Sequence, residues 1–335
     1  MKWIIISLFC VLRLFAGKME KRVDILEHKM GEIGTKKSDD EYGVQLASAT
    51  FERGWVGVEL FWGPLYWHTK LGGTECVYSL ASGNKKMESQ SFDWNFGYRL
   101  GAGVFLPIVK WKILGTYTHF GTHDTGGHEV ILPSLFVNLQ GSFFVSSQNV
   151  KSSYDIDYDA ISLELKRSSF LSSLLGLGSS LGVKQAWIDQ KQRVTYRAFQ
   201  EEVIRVKDHC RFRGIGPLLG MNINWYLFSG FSFFGDVKGA LLYGGVEVKH
   251  TEISIEIKGD AHLLSPNLLF TFGLNKDCFM GGAQVFISLA YEADYYWRQN
   301  QIVIMENANR ERLRVARQAE DLVFYGVTSR LGIEF

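Results

Sequence analysis

The chain has 335 residues, of which 14% are aromatic, 35 are glycine and only 5 are proline, and its formal net charge is +1. So small a charge argues against a general nucleic-acid surface, which needs a strong basic excess. No internal stretch reaches the 18 or so consecutive apolar residues that a membrane-spanning helix needs. The mean hydropathy of -0.01 excludes little, because transmembrane barrels carry their lipid-facing residues in alternation rather than in runs.

Residues 1–17 have the pattern of a secretory signal peptide. Lys2 precedes an apolar run that closes on small residues and is too short to span a bilayer. Arg13 interrupts the run, and a buried N-terminal strand or helix is the alternative. Cleavage would leave an odd number of cysteines, which allows one disulfide with one free thiol, or a link between chains. These cysteines are Cys76, Cys210 and Cys278.

Residues 18–50 have a different character, with apolar residues at alternating spacings of four and three between charged ones. They are Met19, Val23, Leu26, Met30 and Ile33. This spacing is typical of a heptad seam, but an isolated helix this short is marginal in water. We predict a short periplasmic helix, either an amphipathic tail or a small trimer-forming coiled coil. Gly34 and the charged run after it form the linker.

From residue 51 to residue 335 the chain is a series of alternating segments, each typical of a strand with one apolar face. The last segment, 322–335, is an example: its apolar face alternates with Gly, Thr, Arg and Glu. That apolar face comprises Val323, Tyr325, Val327, Leu331, Ile333 and Phe335. Such a strand fits between lipid and water, and the alternative for it alone is the edge of a soluble sandwich. The segment 181–197 fits either phase.

Short and long connections alternate along the chain, as periplasmic turns and extracellular loops do in outer-membrane barrels. We place the short turns near Pro107, Leu175, Ser229 and Lys276, and the longer connections at 123–147, 199–207, 251–262 and 299–320. The count is ten strands, or twelve if 73–81 and a segment within 129–144 join the sheet. The predicted fold is an all-β, antiparallel up-and-down transmembrane barrel.

Several segments also resemble a known family. They are 54–82 (beginning GWVGVELFWGPLYW), 96–120 (FGYRLGAGVFLP, then WKILGTYTHF), 154–190, 212–220 (FRGIGPLLG), 290–301 (AYEADYYWRQNQ) and the terminal strand. Their order and spacing resemble the Legionella-type major outer membrane proteins, pore-forming proteins also found in chlamydia-like bacteria. The resemblance implies an integral outer-membrane barrel with porin-like activity, and it brings no catalytic residue and no cofactor. The final phenylalanine resembles the terminal assembly signal of outer-membrane barrels, which would comprise Tyr325, Val327, Leu331, Ile333 and Phe335.

Charged residues that alternate with the apolar face are the candidates for the pore lining. They are Glu59, Arg99, Lys112, Glu164, Lys166, Asp236, Lys238, Glu292, Asp294 and Arg330, with Glu334 at the end of the last strand. Because both signs are present, these charges either pair and plug the lumen or line a conducting path. Barrels of eight strands are filled by side chains and those of sixteen hold a channel, so ten to twelve strands allow only a narrow pore.

Other chemistry is weakly indicated. His119, His123 and His128 lie near Asp124, but spacings of four and five residues are not diagnostic of a metal site, and packing at the barrel rim is the simpler interpretation. No motif singles out a serine or a histidine for hydrolysis. We therefore predict no enzyme activity and no metal. The segment 306–320 is a solvated helix or loop, or else it contacts lipopolysaccharide phosphates through its arginines, Arg310, Arg312, Arg314 and Arg317.

The sequence thus predicts passive diffusion of small polar solutes or ions through a narrow lumen. The alternative is a non-conducting surface protein, an adhesin or a structural protein, that acts through its extracellular loops. A conducting barrel should leave a continuous polar gap along its axis, and an adhesin should not. The expected partners are outer-membrane lipid and lipopolysaccharide, the barrel-assembly machinery, and further copies of the chain in a trimer formed through the N-terminal helix.

Overall fold

The computed structural model describes residues 57–72, 77–79, 86–88, 91–106, 111–129, 136–138, 147–172, 174–198, 203–227, 230–252, 255–280, 283–309 and 312–335. The predicted signal peptide (1–17) and the predicted helix and linker (18–50) lie outside these residues and stay predictions. Within the described ranges, no helix has the length and apolar character that a bilayer crossing needs.

The described chain forms β-strands in two sheets. The strands are Gly57–Leu71 (β1), Val77–Ser79 (β2), Lys86–Glu88 (β3), Asn95–Leu106 (β4), Trp111–Glu129 (β5), Phe136–Asn138 (β6), Ser147–Phe170 (β7), Leu175–Ala198 (β8), Val203–Tyr226 (β9), Phe231–Glu252 (β10), Ile255–Met280 (β11), Ala283–Asn309 (β12) and Arg312–Glu334 (β13). One sheet is a closed antiparallel barrel in the order β1-β13-β12-β11-β10-β9-β8-β7-β5-β4. The prediction of an all-β barrel with ten strands is confirmed.

The alternative of twelve barrel strands is wrong. Strands β2, β3 and β6, which fall in and near the two extra segments considered, pair with one another in a separate three-stranded sheet. Each has only three residues, whereas a strand that crosses the hydrocarbon core needs about 9–11. The first and last barrel strands close the structure, with Glu59 opposite Glu334 and Leu71 opposite Leu322. Closure leaves no unpaired strand edge facing lipid.

Side chains alternate between a lipid-facing side and a lumen-facing side, which is why the period of two in the sequence predicts the strands. On β9, the outward residues from Ile215 to Trp225 are exposed, whereas the inward Phe212, Gly214 and Leu218 between and beside them are buried. Ten steps of about 3.3 Å along a strand tilted by about 40° give an apolar band roughly 25 Å high. This height matches the lipid-facing band of outer-membrane barrels.

An aromatic girdle marks the edge of the apolar band that lies farther from Phe335, which is the extracellular edge in the predicted topology. It comprises Tyr66, Trp94, Trp187, Tyr243, Tyr295, Trp297 and Tyr325. Neighbouring members contact each other, with ring centroids 5.3 Å apart for Tyr66 and Trp94 and 4.5 Å apart for Tyr295 and Trp297. Aromatic rings that are apolar at one end and polar at the other favour this level of the membrane.

Beyond the girdle the barrel wall continues, and here the predicted long connections are partly wrong. Strand β9 already begins at Val203, β11 begins at Ile255, and β12 and β13 are separated only by residues 310 and 311. In water both faces of a strand carry polar residues, so the alternation that identifies a spanning strand is lost although the strands still pair. The predicted turn near Lys276 is also wrong: β11 continues to Met280, because it stays paired with β12 as far as Met280 opposite Ala283. Asn275 and Asp277 face the lumen, and Asn275 Nδ2 donates to Asp277 Oδ2 at 2.9 Å.

Candidate functional site in the barrel lumen

All ten candidate pore-lining residues lie on lumen-facing positions of the barrel strands. They are Glu59 on β1, Arg99 on β4, Lys112 on β5, Glu164 and Lys166 on β7, Asp236 and Lys238 on β10, Glu292 and Asp294 on β12, and Arg330 on β13. Most of them are paired with a residue of opposite charge. That they line a conducting path stays a prediction.

Arg99 and Glu292 form the most complete pair, across the lumen from β4 to β12. The guanidinium donates from Nη1 and Nη2 to the two carboxylate oxygens at 2.9 and 2.8 Å, and Nε donates to Thr118 Oγ1 at 2.9 Å. Glu292 is fully buried and Arg99 nearly so. A bidentate bond of this kind fixes both side chains in one geometry.

A second group joins β7 to β10 around the buried carboxylate of Glu164. Lys238 Nζ donates to Glu164 Oε1 at 2.9 Å and lies 3.4 Å from Asp236. Lys166 Nζ lies 3.5 Å from Oε2 of Glu164, and Ser162 Oγ donates to Oε1 at 3.2 Å. We call these residues, together with Arg99, Glu292, Lys184 and Asp294, the charged layer.

Lys184, on β8, belongs to the charged layer although sequence reasoning missed it. Its Nζ donates to Asn267 Oδ1 at 2.8 Å and to Asp294 Oδ2 at 3.3 Å, and Tyr158 OH donates to the same Oδ2 at 3.1 Å. Lys184 lies in the segment that fitted either phase. Its inward position can be inferred from its neighbours in sequence, because Leu181 and Val183 are exposed to lipid on the opposite face.

Glu59 and Lys112 form a separate group near the periplasmic rim. Lys112 Nζ bonds to Glu59 and lies 3.5 Å from Glu334 Oε2. These three side chains are partly exposed. Arg330 lies between this group and the charged layer, with its guanidinium carbon 5.7 Å from the ring centroid of Phe61.

Above the charged layer, an aromatic layer fills the lumen. It comprises Trp67, Phe120, Tyr158, Tyr296 and Phe324, all at most 1% exposed. The ring centroids of Trp67 and Phe120 are 5.4 Å apart, and those of Tyr158 and Phe324 are 4.8 Å apart. Apolar side chains of the other wall complete the same buried cluster, and they include Ile188, Phe212 and Leu242. The described residues therefore leave no continuous polar gap at this level.

The aromatic layer is not predicted by the sequence pattern. On β1, Tyr66 faces lipid and Trp67 faces the lumen, and two consecutive aromatic residues give no alternation from which to assign faces. The only indication in the sequence is the high aromatic content of 14%, because it includes more aromatic residues than the lipid-facing positions hold.

Nearer the extracellular mouth, a polar group surrounds His250 on β10. His250 lies beyond the outward-facing Glu247 and is therefore outside the apolar band. Its side chain is fully buried, and its Nδ1 forms a hydrogen bond with Asp208 Oδ1. Burial alone lowers the pKa of His250, but the hydrogen bond to Asp208 and the charges of Asp208 and Glu252 outweigh it and raise that pKa above its ordinary value. Burial raises the pKa of Asp208 against the opposing effect of His250. Close by is a cavity of about 10 Å³, room for about one water.

The remaining candidates lie elsewhere. His119 Nδ1 is 2.8 Å from Asp159 Oδ1, and His123 bonds to Asp155, both on the outer face of the barrel. The imidazoles thus pair across β5 and β7, and the side chain of His128 lies outside the described residues. Within the described ranges, no group of three or more His, Cys, Asp or Glu could hold a metal ion.

The remaining predictions concern the cysteines, the arginines of residues 310–317 and the assembly signal. Cys210 is buried and Cys278 is partly exposed, and Cys76 lies outside the described residues. Arg310 and the side chains of Arg312, Arg314 and Arg317 also lie outside them. The predicted assembly signal occupies outward positions of β13, and its role stays a prediction.

Several solved structures are similar to this chain. Solved structures that this chain resembles include the outer membrane protease OmpT from Escherichia coli (12% identity, 89% of this chain and 99% of that chain covered, TM-score 0.45). Others are a Pseudomonas aeruginosa FadL homologue (8%, 84% and 90%, TM-score 0.29) and the translocator domain of the autotransporter NalP from Neisseria meningitidis (11%, 96% and 98%, TM-score 0.28). Likenesses with TM-scores this low carry no argument about fold or function.

Among curated proteins, none matches the chain. The family model described as Legionella pneumophila major outer membrane protein precursor matches residues 56–335, which includes every barrel strand. The chain therefore belongs to the Legionella major outer membrane protein family, and it is an outer-membrane β-barrel.

Proposed function

We propose that the protein is a narrow pore for small polar solutes or ions, held closed by the aromatic layer. The observation that carries this proposal is the charged layer at the depth of the apolar band. Arg99 and Glu292 are flanked in sequence by the lipid-exposed Tyr98, Leu100 and Tyr291, so their charges lie inside the membrane.

If the lumen were filled only for stability, buried charges would not be needed. Replacing a buried ion pair by apolar side chains of similar volume is often neutral or stabilising, and this barrel does fill its lumen with apolar side chains one layer above. Displacement of the aromatic layer would give a polar solute a path past groups of both signs. Narrowness follows from the ten strands, since a wide aqueous channel needs about sixteen.

The test is single-channel conductance of the refolded protein in a planar bilayer, with a salt gradient to measure ion preference. The Trp67→Ala, Phe324→Ala variant should raise open probability, and adding Arg99→Ala should move the preference toward cations. Lys151→Ala, which removes an exposed cation from the outer face of β7, is the matched control and should match the wild type. Silence of both the wild type and the aromatic-layer variant, in protein shown by heat-modifiable gel migration to be folded, would rule out the pore.

A second function, that of a non-conducting surface protein, is favoured by a different observation. Strands β7 to β13 have 22–27 residues, whereas about 9–11 suffice to cross the membrane. The barrel wall thus extends well into the extracellular space while the aromatic layer closes the lumen. If the aromatic-layer variant stays silent, this extension becomes the functional part.

The location of the protein adds further proposals. Residues 1–17 would be removed on export, the outer face of β13 would be read by the barrel-assembly machinery, and residues 18–50 would join copies of the chain into a trimer. N-terminal sequencing of the outer-membrane form tests the first of these. Light scattering of the detergent-purified full chain, compared with a chain lacking residues 18–50, tests the third.

A further inference from the structure

A row of outward-facing basic side chains lies on β9 directly above the apolar band. On this face Ile215, the last residue of the apolar band, is followed toward the extracellular end by Arg213, Arg211, His209, Lys207 and Arg205. The face changes from apolar to basic within two residues, a distance of about 7 Å along a strand. We call Arg205, Lys207, Arg211 and Arg213 the basic row.

The neighbouring strands carry charges of both signs. In register with the row, β8 presents Lys191, Arg193 and the acidic Asp189, and β10 presents Lys249 and the acidic Glu247. The three flanking cations also lie within 4.0 Å of carboxylates on β7 and β11, namely Asp157, Asp155 and Glu256. Together with the basic row, seven basic side chains therefore face five acidic ones, an excess of two positive charges. The excess comes from the basic row itself, because the flanking cations are paired.

Three cations of the row have no carboxylate partner among the described residues. Arg211 lies 3.4 Å from Asp189 and 3.8 Å from Glu247. Arg205, Lys207 and Arg213, by contrast, are exposed and form no ion pair with a described residue. They are available to an anionic group from outside the chain.

Arg213 also has open space beside it. Its register neighbours are Trp187 on β8 and Gly245 on β10. A Cβ added at Gly245 would have no heavy atom within 4 Å, so the surface has a notch at the register position next to Arg213. Trp187 belongs to the aromatic girdle, which lies at the level of lipid headgroups.

We propose that the basic row binds the phosphate groups of an outer-leaflet glycolipid, with one phosphate at the notch beside Arg213. The lipid chains then lie against the exposed Ile215, Leu219 and Ile223 below it. Continuity with the apolar band argues for a lipid rather than a soluble partner, because a headgroup already lies at the height of Arg213 and a protein would have to displace lipid to reach it. The site needs only the membrane location, so it is independent of conduction.

The experiment measures binding of lipopolysaccharide to the refolded full chain in micelles of an uncharged detergent, by the rise in thermal unfolding temperature and by co-elution. A basic side chain near an anionic lipid surface contributes about fivefold in affinity, so Lys207→Ala, Arg213→Ala should weaken binding by about 30-fold. Arg213→Lys should keep most of the affinity. Lys258→Ala removes an exposed cation that already pairs with Glu256 at 2.9 Å, and this control should bind as the wild type does.

Chemically dephosphorylated lipopolysaccharide is the second arm, and it uses only the wild-type chain. We expect it to bind at least tenfold more weakly than the intact glycolipid, and we expect millimolar inorganic phosphate not to compete, since the lipid chains contribute to binding. Undiminished binding of the double variant, or equal binding of the two glycolipids, would overturn the proposal. Competition by inorganic phosphate at that concentration would show a site for free phosphate instead and would likewise overturn it.

Discussion

Removing one member of the Arg99–Glu292 pair should destabilise the barrel much more than removing both. In Glu292→Ala the guanidinium of Arg99 stays buried, with Thr118 as its only hydrogen-bond partner among the contacts described above. Leaving one charge of a buried pair without its partner costs about 3–5 kcal/mol. In the double variant Arg99→Met, Glu292→Met, side chains of similar volume fill the space without charge, and the cost should be below about 1 kcal/mol, or the barrel should gain stability.

The assay is equilibrium unfolding in urea of the refolded protein in micelles, followed by tryptophan fluorescence. With a slope of about 3 kcal/mol per molar for a protein of this size, Glu292→Ala should lower the midpoint by roughly 1–2 M while the double variant stays near the wild type. Lys258→Ala, at an exposed pair outside the lumen, should leave the midpoint unchanged. Equal losses in the single and double variants would refute the reasoning, because the cost would then come from packing and not from the unpaired charge.

Three further predictions concern other parts of the barrel. Trp67→Ala should cost about 3–5 kcal/mol in the same urea assay, as large core truncations do; a loss below about 1 kcal/mol would mean that the aromatic layer is loosely packed. Gly230→Ala should cost about 1–2 kcal/mol, because φ is +75° and a Cβ would lie 2.5 Å from the carbonyl oxygen of Asp277; an unchanged midpoint would contradict this. Since the pKa of His250 is raised on folding, its contribution is present below the unfolded pKa of about 6.5 and is lost as pH rises through the higher folded value. Amide exchange of the β9–β10 hairpin, corrected for intrinsic rates, should therefore be less protected at pH 9 than at pH 6, and His250→Asn should remove that difference.

The spanning part of the barrel is predictable from sequence because its two faces meet different solvents. On β9 and β10, residues such as Leu219 and Val237 face lipid while Lys238 faces the lumen, and that contrast appears as a period of two. The same contrast places the candidate charges on the inner side. It fails above the girdle, where water lies on both sides and polar residues no longer mark a face.

The contents of the lumen are less predictable, because inward position does not determine contact. Glu292 and Asp294 are two residues apart on one strand, yet one pairs with Arg99 on β4 and the other with Lys184 on β8. Which strand supplies the partner depends on the tilt and stagger of the closed sheet, and these are properties of the whole barrel. Trp67 is a second example. Its contact with Phe324 depends on the pairing of β1 with β13, which forms only when the barrel closes.

The pairing of β1 with β13 also constrains how the chain reaches its final state. The segments that must meet lie at opposite ends of the folded sequence, so this contact closes the largest loop and carries the greatest entropy cost. Until it forms, two strands carry unpaired N–H and C=O groups that hydrocarbon cannot satisfy. We therefore expect the barrel to remain outside the lipid, or shielded by another protein, until β13 has been made, and insertion to be a single late event rather than a strand-by-strand process.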